Sequence, residues 1–249
     1  MTPAVVLITG AGRGLGLGLL QHYSSLKDHV VIAAVRNTEH ENCHSLKGMS
    51  CGSGSRVILV KIDNVSPSDP KDAMALLQEK FKIQHIDVLI ANAGICEHLV
   101  PLEDADLTEI NQLMTVNTWS LLQLYQAALP MFMRASQPKL VYISSVLGSI
   151  SSAAENTQWT GAYGLSKAAG NFLIQKIRSE NEHLRAMAID AGFVQTEMGN
   201  RGAKFAGLME APVTLEESVK GVTGQIGSCW DDEKSVRAFT SYDGGVHLW

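Results

Sequence analysis

A glycine-rich turn near the start of this 249-residue chain constrains its fold more than any other segment. The turn reads Thr9-Gly-Ala-Gly-Arg-Gly-Leu-Gly-Leu-Gly18, between an apolar run (residues 5–9) and an amphipathic stretch (15–26). Glycines permit positive φ and let a phosphate approach the amides at a helix N-terminus. The strict GxGxxG spacing is not met, and the turn instead has glycines at 10, 14 and 16. We therefore predict a strand, a dinucleotide-binding turn that uses Gly10, Gly14, Leu15 and Gly16, and a helix.

Short runs rich in Val, Ile and Ala recur along the chain and alternate with longer amphipathic stretches. The predicted strands are residues 5–9, 30–35, 56–62, 86–91, 140–144, 186–190 and 238–242, and the predicted helices are 15–26, 71–81, 109–133, 163–182 and 215–227. Nearly all-apolar strands between helices indicate a parallel sheet buried on both faces. We predict an α/β fold: one doubly wound, Rossmann-type domain over residues 1–249, with seven parallel strands, helices on both faces and ligands at the carboxyl ends of the strands.

Charge and cysteine content exclude several classes of function. Twenty basic and 25 acidic residues give a net charge of −5, so we expect no nucleic-acid partner. The four cysteines, at positions 43, 51, 96 and 229, form no CxxC pair and have no metal-ligand spacing, which predicts neither a disulfide framework nor a metal site. The N-terminal apolar run is too short for a signal sequence or a membrane span. We expect a cytoplasmic protein with no membrane partner.

The end of the second predicted strand indicates which nicotinamide dinucleotide the turn would bind. A carboxylate there would bind the ribose hydroxyls, whereas an arginine would pair with a 2′-phosphate. The chain has Arg36 and Asn37 at this place, and the first acidic residue is Glu39. Arg13 lies within the glycine turn, where the adenosine ribose should pass. Two guanidinium groups that converge with no acid between them predict NADP(H) rather than NAD(H).

A tyrosine and a lysine four residues apart, Tyr163 and Lys167, form the candidate proton-transfer pair. Helical spacing puts both side chains on one face. A neighbouring ammonium favours the phenolate, so we expect a lowered pKa for the Tyr163 phenol and a role in exchanging a proton with a carbonyl or alcohol oxygen. Ser144 and Ser145 end the fifth strand, where a hydroxyl could polarise a carbonyl, although a serine pair is also common in a simple turn.

These features together resemble the short-chain dehydrogenase/reductase superfamily. The resemblance rests on TGxxxGxG at residues 9–16, Asn92-Ala-Gly94, Asn117, Ser145 and Tyr163-x-x-x-Lys167, in that order along nearly the whole chain. Within the superfamily the chain is similar to C-factor/sniffer-type carbonyl reductases and to fungal norsolorinic acid ketoreductases, through residues 32–36, 144–149 and 241–249.

The resemblance implies a catalytic set. Tyr163 would be the general acid or base, and Lys167 would assist it and bond the nicotinamide ribose. Ser145 would orient and polarise the carbonyl, while Asn117 would hold a water that relays protons to Lys167. An asparagine at this position could equally cap or kink its helix, and the two roles are compatible. Further cofactor contacts are implied for Asp63 and Asn64 at the adenine, for Asn92, Ala93 and Gly94 at the adenosine ribose, and for Val194 and Thr196 at the carboxamide.

Two departures from the family pattern affect this assignment. The Pro-Gly after the sixth strand is Ala191-Gly192 here, which frees φ at the turn that would place Val194 and Thr196. Ser145 and Tyr163 are 18 positions apart, more than is usual, and the extra residues fall in 151–160. We expect this loop to shape substrate access rather than to displace the serine.

Apolar residues near the predicted site indicate its substrate. A lid over residues 197–212 would cover the nicotinamide. The candidate pocket residues are Cys96, His98, Leu147, Trp159 and Phe193, although ordinary packing would explain them equally well.

We predict an NADPH-dependent reductase of a hydrophobic, aromatic or polyketide-type ketone or aldehyde. The alternatives are an NADP⁺-dependent alcohol dehydrogenase, an NADP(H)-binding signalling or redox-sensor protein with little turnover, and a repurposed member that carries out ring closure or dehydration. Helices 109–133 and 163–182 have broad apolar faces, and the family resemblance implies that these two helices pair across a two-fold axis, so we expect a homodimer or homotetramer.

Overall fold

A computed structural model of the chain describes residues 3–97, 99–155, 159–228 and 239–249. Its centre is a sheet of seven parallel strands in the order β3-β2-β1-β4-β5-β6-β7. The strands are β1 (Ala4–Thr9), β2 (His29–Val35), β3 (Arg56–Lys61), β4 (Val88–Ala91), β5 (Lys139–Ser144), β6 (Arg185–Asp190) and β7 (Phe239–Ser241). All seven predicted strands are present, and the predicted parallel α/β fold is confirmed.

Eight helices pack on the two faces of the sheet in the described residues. They are α1 (Gly14–Ser25), α2 (Glu41–Lys47), α3 (Asp69–Glu79), α4 (Leu107–Met114), α5 (Ser120–Phe132), α6 (Gly161–Glu180), α7 (Glu197–Phe205) and α8 (Leu215–Ser228). Alternate strand residues enter two separate cores, so that Leu7 and Ile32 lie on one face and Ile8 and Val31 on the other. None of the helices described here is long and apolar enough to cross a lipid bilayer.

Three helical segments differ from the predictions. The predicted helix 109–133 is two helices, α4 and α5, joined by a π-helical turn at Thr115–Trp119. A π-helical turn inserts a single residue, so the apolar residues of each flanking helix keep their helical spacing and the pattern still resembles that of one long helix. The helices α2 and α7 were not predicted, because the first is short and polar and the second contains two glycines.

The strand order places the candidate site. After β1, the chain adds β2 and β3 on one side of that strand, and then crosses over so that β4 pairs on its other side. The crossover connections therefore run in opposite directions away from the boundary between β1 and β4. A crevice opens at the carboxyl ends of the strands where crossovers diverge. The glycine turn follows β1, Asn92 follows β4 and Ser145 follows β5, so all three lie along this edge.

Candidate active site

The glycine turn forms a tight cradle at the N-terminus of α1. Gly10 and Gly14 have φ of +65° and +52°, which side chains rarely adopt. A Cβ at Gly16 would lie 2.2 Å from the Gly10 carbonyl oxygen, so only glycine fits there. Arg13 occupies the N-cap position with extended backbone, and its side chain reaches Glu197 instead of capping the helix. The first amides of α1 therefore face the crevice, as a phosphate site requires.

Asn92 and Ala93 tie the end of β4 to the glycine turn. The Asn92 amide nitrogen Nδ2 donates to the Thr9 carbonyl oxygen at 2.8 Å, and the backbone N–H groups of Asn92 and Ala93 both donate to the Thr9 hydroxyl at 3.1 Å. Gly94 comes next, and a Cβ there would lie 3.1 Å from Asn117 Oδ1 and 3.5 Å from Lys167 Nζ. The segment thus holds two strands together, and at Gly94 it passes close to Asn117 and Lys167 without a side chain of its own.

The two arginines predicted at the 2′-phosphate lie near the same end of the sheet. Arg36 follows β2 and is exposed. The glycine turn lies beside the end of that strand, where Ala11 N donates a hydrogen bond to Ala34 O. The prediction that no acid lies between them needs correction, because Arg13 forms a salt bridge with Glu197 of α7. Glu197 is 184 positions away in the chain, so the spacing around the turn gave no sign of it.

The predicted adenine-contacting pair, Asp63 and Asn64, divides into two environments. The Asp63 carboxylate accepts only a local hydrogen bond from Val65 N, at 3.2 Å, among the described residues. Asn64 Nδ2 donates to the carbonyl of Val116 and the hydroxyl of Ser120, each at 2.9 Å. The amide group of Asn64 therefore anchors the π-helical turn, and a contact with adenine remains a prediction for its other atoms and for Asp63. The exposed Asn37 accepts a bond from Glu39 N through Oδ1.

Close packing of α6 on the end of β5 brings Ser145 to Tyr163. A Cβ at Gly148 would lie 2.7 Å from the Lys167 Cβ, and one at Gly164 would lie 2.6 Å from the Leu147 carbonyl oxygen. These glycines let the 3₁₀ turn Val146–Gly148 lie directly on the helix. The Ser145 side chain consequently lies beside the Tyr163 phenol despite the 18-residue separation, and its hydrogen-bonding interaction lowers the pKa of that phenol.

Burial, rather than the lysine charge, dominates the ionisation of Tyr163. Desolvation raises the pKa of the Tyr163 phenol well above its usual value, and the nearby acidic groups of Cys96, Tyr142 and Asp190 raise it further, while the Ser145 bond acts the other way. The predicted lowering of this pKa is therefore wrong. The Lys167 nitrogen lies 5.7 Å from the centre of the Tyr163 ring and donates to the Ile143 carbonyl instead, at 2.8 Å.

Lys167 is almost wholly buried, with 4% of its surface exposed. Desolvation lowers the pKa of its ammonium to about 8, while Cys96 and Asp190 act in the opposite direction. At neutral pH the side chain still carries its charge. A buried cation with one carbonyl partner can therefore stabilise negative charge that develops on the neighbouring phenol oxygen.

The side chain of Asn117 has a structural task, in agreement with the prediction that it also caps or kinks its helix. Its Oδ1 accepts from Ile95 N and its Nδ2 donates to Ile95 O, both at 2.9 Å, and Nδ2 also donates to the Ser166 hydroxyl. The side-chain amide thus joins the loop after β4 to α6. The main-chain carbonyl of Asn117 accepts from the Tyr142 hydroxyl at 3.0 Å, and the water held by Asn117 remains a prediction.

The segment after β6 keeps its turn without the family's proline. Gly192 has φ of +83°, and its N–H donates to Asp190 Oδ1 at 3.0 Å. The chain then places Val194, which is buried, and Thr196, whose hydroxyl accepts from Gly199 N at 3.1 Å and so caps α7. The Thr196 methyl lies against Gly14, and a Cβ on Gly14 would be 3.4 Å from this methyl carbon. Thr196, one of the two residues predicted at the carboxamide, is thus beside the glycine turn.

The helix α7 closes the crevice from above. Its Arg201 donates to the Cys96 carbonyl at 2.7 Å, and its Glu197 pairs with Arg13. A small cavity remains beneath, lined by Arg13, Gly94, Ile95, Glu97, Glu197, Met198 and Arg201. Two contacts across the crevice therefore hold the segment that was predicted as a lid.

Four of the five predicted pocket residues are described, and they lie in different surroundings. Burial raises the pKa of the Cys96 thiol to about 11, and this thiol in turn raises the pKa of Tyr163. Leu147 contacts Gly164 through its carbonyl, and Trp159 precedes α6. Phe193 packs beneath α7 near Gly202. His98 lies outside the described residues.

Comparison with known proteins identifies the family. A family model described as short chain dehydrogenase matches residues 4–205. The norsolorinic acid ketoreductase of Dothistroma septosporum is 37% identical over 246 residues, which cover 98% of this chain and 91% of that protein. The chain belongs to the short-chain dehydrogenase family.

Solved structures of short-chain dehydrogenases agree with this assignment. NADPH-bound carbonyl reductase from chicken fatty liver is 28% identical, with a TM-score of 0.82 and all of both chains covered. Carbonyl reductase Sniffer of D. melanogaster has a TM-score of 0.80 over the whole of both chains, and at 23% identity it shows the fold alone. The predicted similarity to ketoreductases and carbonyl reductases is confirmed. As a short-chain dehydrogenase, the protein is an oxidoreductase that uses a nicotinamide cofactor.

The residues of the crevice fit such a cofactor. The cradle at Gly16 has no room for a side chain, the first amides of α1 face the crevice, and Gly94 places no side chain beside the buried ammonium of Lys167. Substitution at the cradle should therefore be costly. We expect Gly16→Ala to lower Tm by about 5 °C or more, since overpacking against backbone costs about 1–3 kcal/mol, and to weaken NADPH binding at least tenfold.

A matched substitution separates this effect from the general cost of replacing a helical glycine. A Cβ at Gly224 of α8 meets no described atom within 4 Å. Gly224→Ala should raise Tm by about 2 °C, because alanine favours the helix by roughly 0.5–1 kcal/mol. Thermal melts and NADPH fluorescence titrations measure both variants, and equal NADPH affinity in the two would contradict the cradle assignment.

Several residues of the site were not identified from the sequence. Asp190, Glu197 and Arg201 act through contacts between segments far apart in the chain, and no local pattern marks them. Tyr142 did carry a signal, because it is an aromatic residue with a polar tip in an otherwise aliphatic strand, Leu140-Val-Tyr-Ile143.

Proposed function

We propose that the protein is an NADPH-dependent reductase of a hydrophobic ketone or aldehyde. The observation that carries this proposal is the arrangement of Tyr163, Ser145 and Lys167 at the carboxyl edge of the sheet. Burial keeps the Tyr163 phenol protonated throughout the neutral range, as a proton donor must be.

The chain's own residues account for the proton transfer. When bound, the nicotinamide supplies the hydride that reaches the carbonyl carbon. The Ser145 hydroxyl donates a hydrogen bond to the carbonyl oxygen and polarises it. Tyr163 then gives its phenolic proton to the developing alkoxide. The charge left on the phenol oxygen is stabilised by the Lys167 ammonium, which has little water around it to weaken the attraction.

The choice of NADP(H) follows from the positive charge beside the adenosine ribose. Arg36 at the end of β2 and Arg13 in the adjacent turn supply two guanidinium groups for a 2′-phosphate. The salt bridge from Arg13 to Glu197 is largely exposed, and exposed pairs contribute less than about 1 kcal/mol. A doubly charged phosphate can therefore displace Glu197. The similarity to an NADPH-bound carbonyl reductase supports the same cofactor.

Aromatic residues at the mouth of the site favour an aromatic substrate. The rings of Trp159 and Phe205 meet edge to face with centroids 5.8 Å apart, and both are about half exposed. Phe193 lies nearby on the underside of α7. Flat aromatic groups pack well on such surfaces. The similarity to norsolorinic acid ketoreductases points to the same class, a polyketide-type ketone.

A substrate panel tests the proposed reaction. NADPH absorbance at 340 nm is followed with aryl ketones, aryl aldehydes and aliphatic carbonyls of equal size, and we expect the highest kcat/KM for the aryl compounds. NADPH binding without consumption on any substrate would favour the sensor function over the reductase. Consumption that is equal for aryl and aliphatic carbonyls would contradict the aromatic pocket.

The loop over residues 151–160 provides a further prediction. Shortening it between Ser151 and Trp159 should change the ratio of kcat/KM for large and small ketones at least tenfold and leave the Kd for NADPH within about twofold, because we expect the loop to shape substrate access and its described residues 151–155 are mostly exposed. Ser151 is retained because its N–H and its hydroxyl both donate to the main-chain carbonyl of Trp249, the C-terminal residue. Loss of NADPH affinity with an unchanged substrate range would show that the loop serves the cofactor.

We also propose that the protein is a homodimer or homotetramer. Trp119 between α4 and α5, and Leu165 and Phe172 on α6, are each about half exposed or more. Exposed apolar groups on long helices are typical of an interface between copies. Light scattering after size-exclusion chromatography measures the state, and a monomer would contradict the proposal.

A further inference from the structure

Tyr142 lies in β5, three residues before Ser145, and only 2% of its surface is exposed. It does not touch the crevice, yet its ring and its hydroxyl each contact a residue of the candidate catalytic set. The ring faces the Lys167 nitrogen, 4.7 Å from its centre, which is closer than the Tyr163 ring at 5.7 Å. The hydroxyl donates to the main-chain carbonyl of Asn117 at 3.0 Å.

The space for this ring is built into α6. A Cβ at Gly170 would lie 2.5 Å from the edge carbons and the hydroxyl oxygen of Tyr142, so the helix can pass over the ring only with glycine at that position. Lys167 projects from the preceding turn of the same helix onto the ring face. The Ile143 carbonyl, next to Tyr142 in β5, accepts one Lys167 hydrogen bond at 2.8 Å. One strand segment therefore supplies both surfaces on which the ammonium lies.

We propose that Tyr142 is a positioning residue, whose ring face holds the Lys167 ammonium charged and in place while its hydroxyl fixes the π-helical turn at Asn117. This inference rests on the proposed function to the extent that Lys167 serves the proton transfer from Tyr163. An aromatic ring face attracts a cation most strongly where water is excluded. Burial raises the pKa of the Tyr142 phenol, so its hydroxyl stays protonated and keeps donating to Asn117.

The remaining groups around Lys167 make the ring face important. Cys96 from the loop after β4 and Asp190 at the end of β6 favour the charged ammonium, and Tyr163 lies beside it on α6. Asp190 also pairs with His247 of the C-terminal segment, at 3.1 Å, so its charge is shared. Burial of Lys167 lowers its pKa to about 8, close to working pH, so a moderate loss of stabilisation removes the charge.

The test is the ionisation of Lys167 itself, measured without cofactor. The Cε resonances of ¹³C-lysine-labelled protein are titrated by NMR, and Lys167 is assigned with Lys167→Arg. Tyr142→Phe keeps the ring, and trifluorinated phenylalanine at position 142 keeps its size but removes the negative potential of its face. We expect a midpoint near pH 8 in the wild type and in Tyr142→Phe, and a midpoint lower by about one pH unit with the fluorinated ring.

A fluorinated ring at Phe132, which is fully buried in the same core, is the control and should leave the midpoint unchanged. The alkaline limit of reductase activity should move with the midpoint, because an uncharged Lys167 no longer stabilises the phenolate. An unchanged midpoint with the fluorinated ring at 142 would overturn the proposal, even in an active enzyme. A shifted midpoint in a protein that reduces no carbonyl would support the Tyr142–Lys167 interaction and overturn only the proposed reaction.

Discussion

Replacing Tyr163 by phenylalanine should lower kcat for ketone reduction at least 10²-fold, the usual contribution of a general acid. The substitution removes one oxygen atom and keeps the ring, so the packing of this α6 side chain is preserved. The KM for NADPH should change little, because the phenol proton is used only when the alkoxide forms. Steady-state rates at saturating NADPH measure the effect, and thermal melts confirm that the fold is intact.

The matched control is Tyr125→Phe. Tyr125 lies on α5, away from the crevice, and its hydroxyl accepts a hydrogen bond from Asn181 at 2.9 Å. Loss of that bond should lower stability slightly, by about 1 kcal/mol, and leave kcat unchanged. A rate near that of the wild type in Tyr163→Phe would mean that another group supplies the proton. Equal losses in both variants would indicate a general effect on stability.

The sheet could be predicted from the sequence because its strands are buried on both faces. Runs such as Val30-Val-Ile-Ala-Ala-Val35 are apolar throughout, and only a central parallel strand hides every side chain in this way. The short helix α2 could not be predicted, because its described buried side chains are only Cys43 and Leu46. The π-helical turn is held by two tertiary hydrogen bonds, from the Asn64 amide to the Val116 carbonyl and from the Tyr142 hydroxyl to the Asn117 carbonyl. Neither donor belongs to the local sequence pattern of the helix.

The site was predictable where one motif carries its own geometry, as with Tyr163 and Lys167 on one helical face. The pKa values of these two side chains could not be predicted, because they depend on burial by segments that are distant in the sequence. The sequence predicted a lowered pKa for Tyr163 from the neighbouring lysine, whereas the Lys167 ammonium contacts the Tyr142 ring and the Ile143 carbonyl. Similarly, Arg13 could be placed at the cofactor by its turn, but its pairing with Glu197 arises only when α7 folds over the crevice.

Arg36→Asp should lower the ratio of kcat/KM for NADPH to that for NADH by about 10²-fold. Bonds between an arginine and a phosphate are charge-assisted, at about 1.5–3 kcal/mol, and an aspartate in the same place repels the 2′-phosphate and can accept bonds from the ribose hydroxyls of NADH. Most of the change should appear in KM, because the adenosine end is remote from the reacting carbonyl. Initial rates over a range of both cofactors measure it.

Lys71→Asp makes the same change of charge on the exposed first turn of α3 and should leave the ratio unchanged. Arg13→Ala should lower the ratio less than Arg36→Asp does, because the phosphate must first displace Glu197 from Arg13 and the substitution adds no repulsion. Glu197→Gln removes that competitor and should raise NADPH affinity only when Arg13 is present. An unchanged ratio in Arg36→Asp would contradict the phosphate site at β2, and a larger loss in Arg13→Ala would place the phosphate on the glycine turn instead.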